Sequence, residues 1–293
     1  MPSLSIIIIN YNTPELTERC VDSVLSFTEL SDFEVIIVDN GSSKRYLPNT
    51  DSRVKYVYNR KNLGFSGGNN LGLTLAMGEY ILLLNSDTII SDNSLKILLD
   101  EFISIKNCGA ITPKLVSKDG TLQFPANRCP GIGLELRNLF RINKFTSKEK
   151  LSKLYLGSQW DYDKPVECDW IYGTCFLTSR QIINEVLGGK FPDRFFMYAE
   201  DMQWSFKLKK AGLKLCYTPK SQIIHLGGAS MNPMDEEEKY FKYMLPNTFE
   251  AVAEYKGRFH AKLIVFCRIL LLLSLFNKND RRKAFRFWKF LKN

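Results

Sequence analysis

The chain has 293 residues, 45% hydrophobic and 24% charged, which excludes a disordered protein and allows one large α/β domain or two ordinary ones. Its net charge of +9 is unevenly held: 11 of the 40 Lys and Arg, but one of the 31 Asp and Glu, fall in residues 256–293. The near-neutral body argues against a nucleic-acid groove, and the basic end points to an anionic surface.

The N-terminus, MPSLSIIIINYN, has no basic leader and its apolar run is short for a signal peptide, so a cytoplasmic chain opening on a strand is expected. The seven cysteines, odd in number and without a C-x-x-C pair, fit a reducing compartment. SLSIIII (3–9) reads as a buried strand. Residues 14–27 follow as a helix, with Leu16, Cys20, Val24 and Phe27 on one face, Thr13 as cap and Pro14 at its first position. Strands are expected at 33–39, 53–59, 79–85 and 109–115, and helices at 66–77 and 93–105. Apolar strands alternating with helices predict a parallel sheet covered on both faces, with ligands at the carboxyl ends of its strands.

Residues 118–165 mix Pro, Gly, Lys and aromatics without periodicity and read as a long insertion or flexible loop, a common place for acceptor contacts. Regular structure returns at 167–179, with helices over 179–187 and 201–212, the second capped by Gly212, and strands at 213–219 and 222–226. A helical pair broken at Pro246 follows. The apolar stretch 260–276 is interrupted by Arg268 and falls short of the ~20 residues of a membrane span. Residues 279–293 interleave basic residues with Phe285, Phe287, Trp288, Phe290 and Leu291, the pattern of an interfacial anchor; a helical cap packed on the body is the alternative.

Four polar clusters end the first four strands: Asn10-Tyr11-Asn12, Asp39-Asn40-Gly41-Ser42, residues 62–70 (NLGFSGGNN) and Asn85-Ser86-Asp87. Each alone is an ordinary turn. Together on one edge they describe a crevice able to take a nucleoside, its phosphates on glycine-rich backbone, and a divalent cation on a carboxylate. No G-x-G-x-x-G follows the first strand and no G-x-x-x-x-G-K-[ST] is present, which excludes a Rossmann dinucleotide site and a P-loop.

The segments SIIIINYN, EVIIVDNGS, NLGFSGGNN, YILLLNSD, WIYGTCFLTSR, FFMYAEDMQWSFKLKKAG and IIHLGGAS, in this order over residues 3–230, resemble family 2 glycosyltransferases, and most the bacterial rhamnosyltransferase-like branch. The resemblance implies an α/β GT-A fold, the mostly parallel nucleotide-diphospho-sugar transferase sheet flanked by helices. Residues 1–115 would be its nucleotide-binding half and 116–230 its acceptor and catalytic half. Residues 231–293 would form a helical, membrane-associating tail.

It further implies an inverting transfer from a nucleoside-diphosphate sugar, dTDP-rhamnose or a UDP-sugar, to a hydroxyl of a lipid-linked or cell-surface glycan. The setting would be polysaccharide and cell-wall biogenesis at the inner membrane face. Asp39 matches the nucleoside contact and Tyr11 the base-lining position. Asn10, Asn12, Asn40, Gly41, Asn62, Gly64, Phe65, Asn69, Asn85, Ser86 and Gly173 fill out the donor site. Asp87 matches the last Asp of a D-x-D-type motif holding Mg²⁺ or Mn²⁺, joined by His225. Asp201 matches the base, beside Glu200. The motif departs from the family at Asn85, which leaves one carboxylate where the pattern has two and weakens the grip on metal.

Plainer readings stand beside these roles: a turn at 39–41, the acidic N-terminus of a helix at Glu200-Asp201, and a structural histidine at 225. Trp170 and Trp204 read as core or acceptor wall. A nucleotidyltransferase would need an early basic phosphate loop, and residues 1–18 contain no Lys or Arg. Asp87, Asp201 and His225 argue against a silent glycan- or nucleotide-binding scaffold. A nucleic-acid partner is not expected; a homo-oligomer is compatible with the sequence.

Overall fold

Large apolar residues bury themselves in the middle of a sheet, and the polar residues that end each run emerge along one edge. The computed structural model describes residues 3–46, 50–227, 235–275 and 277–292; Gly228, Ala229 and Ser230 of the IIHLGGAS motif lie outside them. In chain order the elements are β1 (Leu4–Asn10), α1 (Pro14–Phe27), β2 (Phe33–Asn40), β3 (Val54–Asn59), α2 (Gly64–Leu73), β4 (Tyr80–Asn85), β5 (Thr88–Ile89) and α3 (Ser94–Ser104). Next come β6 (Cys108–Val116), β7 (Leu122–Gln123), β8 (Ala126–Asn127), α4 (Ile132–Leu139), α5 (Lys148–Tyr155), β9 (Val166–Cys168), β10 (Trp170–Ile171) and β11 (Cys175–Ser179). The chain continues with α6 (Arg180–Val186), α7 (Glu200–Lys210), β12 (Lys214–His225), α8 (Glu236–Lys239), α9 (Leu245–Lys256), α10 (Arg258–Ser274) and α11 (Lys278–Lys292). They form two compact units: Met1–Ala126 with Tyr162–Met234, and Asn127–Asp161 with Asp235–Asn293.

In the first unit the sheet order is β3-β2-β1-β4-β11-β6-β12-β5. β3, β2, β1 and β4 are parallel, while β11 runs antiparallel between β4 and β6. The register sets Asn10 opposite Asp39, Asn40 opposite Asn59 and Ile9 opposite Asn85, so three of the polar clusters share one edge. The strand order reverses at β1, where loops to either side diverge and open a crevice. Because β11 runs backwards, its start reaches the same edge, and Asn85 N–H donates to Thr174 O at 2.9 Å. β12 pairs antiparallel with β5, His225 opposite Thr88, which brings its last residue beside Asp87.

Both faces of β1 are covered. Ile6 and Ile8 pack with the buried faces of α1 and α3. Ile7 faces α2, and this explains the glycines of that helix. A Cβ on Gly72 would sit 2.5 Å from Ile7 Cγ2, and one on Gly68 2.9 Å from Ile9 Cδ1. The glycines let the helix axis approach the sheet, as well as opening the helix.

Three expectations change. β12 is one strand, not two; its register against β6 slips between Thr218 and Gln222, where Pro219 cannot donate to the ladder. Residues 118–165 carry β7, β8, α4 and α5, so they are not a structureless loop. Pro246 does not break the helix: Tyr240–Met244 form a π turn in which Leu245 N–H reaches Tyr240 O, and this wider turn absorbs the proline at the start of α9.

The second unit joins the expected C-terminal helices to residues 127–161, which the sequence reading left in the acceptor half. α10 packs against α4, α9 and α11. Leu245, Phe249 and Val252 of α9, Ala261, Ile264 and Val265 of α10, and Ala284 and Phe287 of α11 are buried. Arg268, which interrupts the apolar run, is tied inside this unit: Nε lies 2.7 Å from Glu135 Oε1 and Nη1 3.4 Å from the Tyr240 hydroxyl. Among the described residues no helix is long and apolar enough to cross a membrane.

The glycine packing gives a test of opposite signs. In Gly72→Ala, overpacking against a buried β-branched side chain costs about 1–3 kcal/mol, more than the roughly 1 kcal/mol Ala gains over Gly in a helix. Gly133, exposed in α4, has nothing within 4 Å of a Cβ. Thermal unfolding should show a lower Tm for Gly72→Ala and a raised one for Gly133→Ala.

Candidate active site

The first two clusters organise each other. Asn10 is buried; its Nδ2 donates to Asp39 Oδ2 (2.9 Å) and Ser42 Oγ (3.1 Å), and its Oδ1 accepts from Thr13 N and Thr17 Oγ1. Asp39, also buried, accepts from Ser42 N at 3.0 Å and Tyr46 N at 3.2 Å. Asn12, at φ 59°, accepts through Oδ1 from Ser43 and Lys44 backbone N–H. The acid at 39 therefore holds the 41–46 loop in shape as well as ending its strand. Tyr11 is the exposed aromatic of this cluster.

The third cluster is a clamp. Asn40 Nδ2 donates to Asn62 Oδ1 and Gly64 O, and its Oδ1 accepts from Leu63 N. Gly41 has φ 83°, and a Cβ there would lie 2.7 Å from Asn62 N. Phe65 N donates to Phe196 O at 3.0 Å, and a Cβ on Gly64 would overlap that same carbonyl. Asn70 and the Phe191 backbone exchange two bonds of 2.8 Å. Asn69 is buried and donates to Phe65 O within the helix. The start of α2 thus grips residues 191–196, the segment that leads to the acid pair. Trp204 is core: it is fully buried, touches the rings of Phe65, Phe176 and Phe191, and donates to Pro192 O.

Tyr198 and Ala199 both adopt left-handed backbone, φ 68° and 66°, which swings Glu200 and Asp201 onto the N-terminus of α7. Asp201 Oδ2 accepts from Gly173 N (3.0 Å) and Oδ1 from Met202 N (2.7 Å). Gly173 has no room for a side chain, since a Cβ would lie 2.7 Å from Phe65 Cε1. Burial pushes the Asp201 carboxyl up to about 6, against the pull of these backbone N–H groups. Burial, then the neighbouring Asp201 charge, push Glu200 up to about 8. Both carboxyls are therefore harder to ionise than ordinary ones, and the pair holds a proton to higher pH than isolated acids would, beside a carboxylate of raised basicity.

Asp87 Oδ1 and His225 Nε2 face each other at 3.2 Å, both side chains mostly buried. Ser86 Oγ lies 3.4 Å from Thr13 Oγ1, and Asn85 O accepts from Thr88 Oγ1 at 2.8 Å. A carboxylate oxygen and an imidazole nitrogen at this separation suit a divalent cation. Among the described residues no group of three or more His, Cys, Asp or Glu could hold a metal. Two protein atoms fit an ion that takes its other oxygens from phosphates and water, the habit of Mg²⁺.

The sequence reading gave no role to Gln123, Asn70 or Phe196. Asn70 and Phe196 lie inside quoted motifs, but their partners are 121 and 131 positions away; Gln123, 102 positions from its partner, lies in no motif.

Among solved structures the fold matches GalNAc-T7 with UDP, GalNAc and Mn²⁺, at TM-score 0.64 and 18% identity; the match covers 96% of this chain and just over half (55%) of that one. This likeness is one of fold and makes the first unit a GT-A α/β domain. The model of glycosyl transferase family 2 matches residues 5–187, and the chain belongs to that family. The Haloferax volcanii low-salt glycan biosynthesis hexosyltransferase Agl10 is 23% identical over 276 residues, covering 92% of this chain and 78% of the relative. The Mycobacterium tuberculosis N-acetylglucosaminyl-diphospho-decaprenol L-rhamnosyltransferase is 27% identical over 248 residues, covering 76% and 75%.

The acid pair gives a stability test. A carboxyl whose folded value is raised holds a proton that the unfolded chain has released, so stability falls as pH rises from the ordinary carboxyl range through about 8 for Glu200. Glu200 Oε2 is also buried without a partner among the described residues. Glu200→Gln should lose less Tm than the wild type between pH 5 and 8 by calorimetry.

Proposed function

We propose that the protein is an inverting glycosyltransferase that moves a hexose, rhamnose first, from a nucleoside diphosphate to a hydroxyl of a lipid-linked or cell-surface glycan. The observation that carries this reading is the place of Asp201: its carboxylate is pinned by Gly173 N–H, next to the Thr174 carbonyl that bonds Asn85 at the strand edge, and burial raises its basicity. In the proposed step Asp201 takes the proton of the acceptor hydroxyl as its oxygen bonds to the anomeric carbon. The bond to the diphosphate breaks on the opposite face, and the carbon inverts. Glu200, whose ionisation burial opposes, limits the negative charge near the attacking oxygen.

Asp87 and His225 would hold Mg²⁺ or Mn²⁺, which when bound offsets charge on the departing diphosphate. The GT-A neighbour's UDP and Mn²⁺ support a nucleotide donor and a divalent cation. The mycobacterial relative's name supports rhamnose and a lipid-diphosphate acceptor.

We further propose that the second unit rests on the inner face of the cell membrane, with the chain cytoplasmic. Lys278, Arg281, Arg282, Phe285, Trp288, Lys289 and Lys292 fall on one face of α11 and are exposed; no acidic residue shares that face. Phe259, Phe266, Leu270 and Leu273 form an exposed apolar stripe on α10. Aromatics among cations suit an anionic lipid surface.

Two experiments test these readings. With a panel of nucleotide sugars and Mn²⁺, product analysis should find one donor consumed, with an acid limb near pH 6 in kcat/KM. Asp201→Asn should lower kcat about 10²–10⁴-fold while nucleotide affinity holds; undiminished turnover, or no donor used, would defeat the reading. Sedimentation with anionic vesicles should retain the wild type. Lys289→Glu/Lys292→Glu should bind at least tenfold more weakly, since each cation near such a surface contributes about 1 kcal/mol.

A further inference from the structure

The imidazole at 225 has two nitrogens, and only one faces Asp87. The other, Nδ1, lies 2.6 Å from Gln123 Oε1. Gln123 belongs to β7, the short strand paired antiparallel with the end of β6, in a stretch whose sequence shows no motif. Its amide nitrogen donates to His225 O at 2.9 Å and to Ser117 Oγ at 3.0 Å.

These bonds settle the orientation of the amide. A main-chain carbonyl accepts and cannot donate, so the group 2.9 Å from His225 O must be the NH₂. The amide oxygen then faces Nδ1. Two acceptors do not bond each other, so Nδ1 must carry the proton. In the neutral ring this leaves a lone pair on Nε2, the atom 3.2 Å from Asp87 Oδ1. Without Gln123 the neutral ring could place its proton on Nε2, donate it to Asp87, and close the gap a cation would fill.

We infer that Gln123 is a positioning residue that fixes the Nδ1–H tautomer of His225, so that Nε2 and Asp87 together present two lone pairs to a divalent cation. One side chain reads both ends of the same residue, ring and carbonyl, and so sets ring rotation as well as proton position. Residues that orient a metal-binding histidine in this way carry roughly 10–100-fold in metal affinity. The inference rests on the proposed metal role of Asp87 and His225.

The test uses the full chain labelled with ¹⁵N-histidine. There are two histidines, and His260→Gln assigns the spectrum. The neutral His225 ring should show a protonated Nδ1 and a bare Nε2. Mn²⁺ uptake with UDP or dTDP, read by electron paramagnetic resonance of the free ion, should weaken about 10–100-fold in Gln123→Met, which should also move the ring toward Nε2–H. Gln123→Glu keeps the acceptor and loses the donor. It should hold the tautomer and bind Mn²⁺ within a few-fold of wild type, whereas a purely structural bridge through the amide N–H would not be rescued. A wild-type ring protonated on Nε2 overturns the assignment. Unchanged Mn²⁺ affinity in a folded Gln123→Met overturns it too. A wild type that takes up no Mn²⁺ with either nucleotide overturns the metal reading and this inference with it; uptake insensitive to Gln123 overturns this inference alone.

Discussion

One backbone hydrogen bond carries much of the site's geometry: Phe65 N–H to the carbonyl of Phe196, at 3.0 Å. It joins the loop that follows β3 to the segment that delivers the acid pair. With the paired bonds of Asn70 to Phe191 it clamps that segment at both ends. The clamp explains two glycines at once. Gly64 has no side chain because the Phe196 carbonyl occupies its place, and Gly173 has none because Phe65 does. It also explains how two consecutive residues, Tyr198 and Ala199, stay in left-handed backbone at a cost of roughly 1–2 kcal/mol each. Strain of this kind persists where the surroundings over-determine the chain.

The acid pair shows which electrostatic effect wins at a buried helix start. The dipole of α7 favours negative charge at Glu200 and Asp201, an effect of about 0.3–1 kcal/mol at exposed sites. Desolvation can move a fully buried carboxyl by 3–5 units. Both groups are raised, so burial dominates. They differ in the charge that Asp201 sets beside Glu200 and in hydrogen bonding. Asp201 receives two backbone N–H bonds, while one oxygen of Glu200 is buried with no partner among the described residues. Backbone N–H groups thus favour the charged form at Asp201.

The first four strands were legible because each is a near-continuous apolar run ended by polar residues, and parallel registry then aligns those ends without further information. Motif order singled out Asp87, Asp201 and His225, and the structure sets Asp87 beside His225 and Asp201 at the start of α7. The partners that hold these residues were not legible. Gln123 sits in a two-residue strand, and Phe196 acts through its carbonyl, which any residue supplies. Arg268 read as a flaw in an apolar helix because its partner, Glu135, is 133 residues away. The helices α4 and α5 escaped notice because they bury almost nothing along their length: Glu135 is the buried residue of α4, and α5 has none. Pro246 signalled a break by the ordinary rule, and a π turn evaded it.

The second unit is assembled from two stretches of chain, 127–161 and 235–293, with residues 162–234 of the first unit threaded between them. Such a unit cannot be synthesised as a module. Its first part leaves the ribosome about seventy residues before its second begins, and α4 must wait for α10 to supply the partner of Glu135. During that interval the acid pair and its sheet can form while the helical unit cannot. A chain cut after β12 would keep every residue of the polar strand edge and still strand α4 and α5 without the helices that complete their unit. The natural seams of the molecule are the pair at 126/127 and 161/162 together with the one near 235, and an exchange of the helical unit between relatives would have to move both stretches at once.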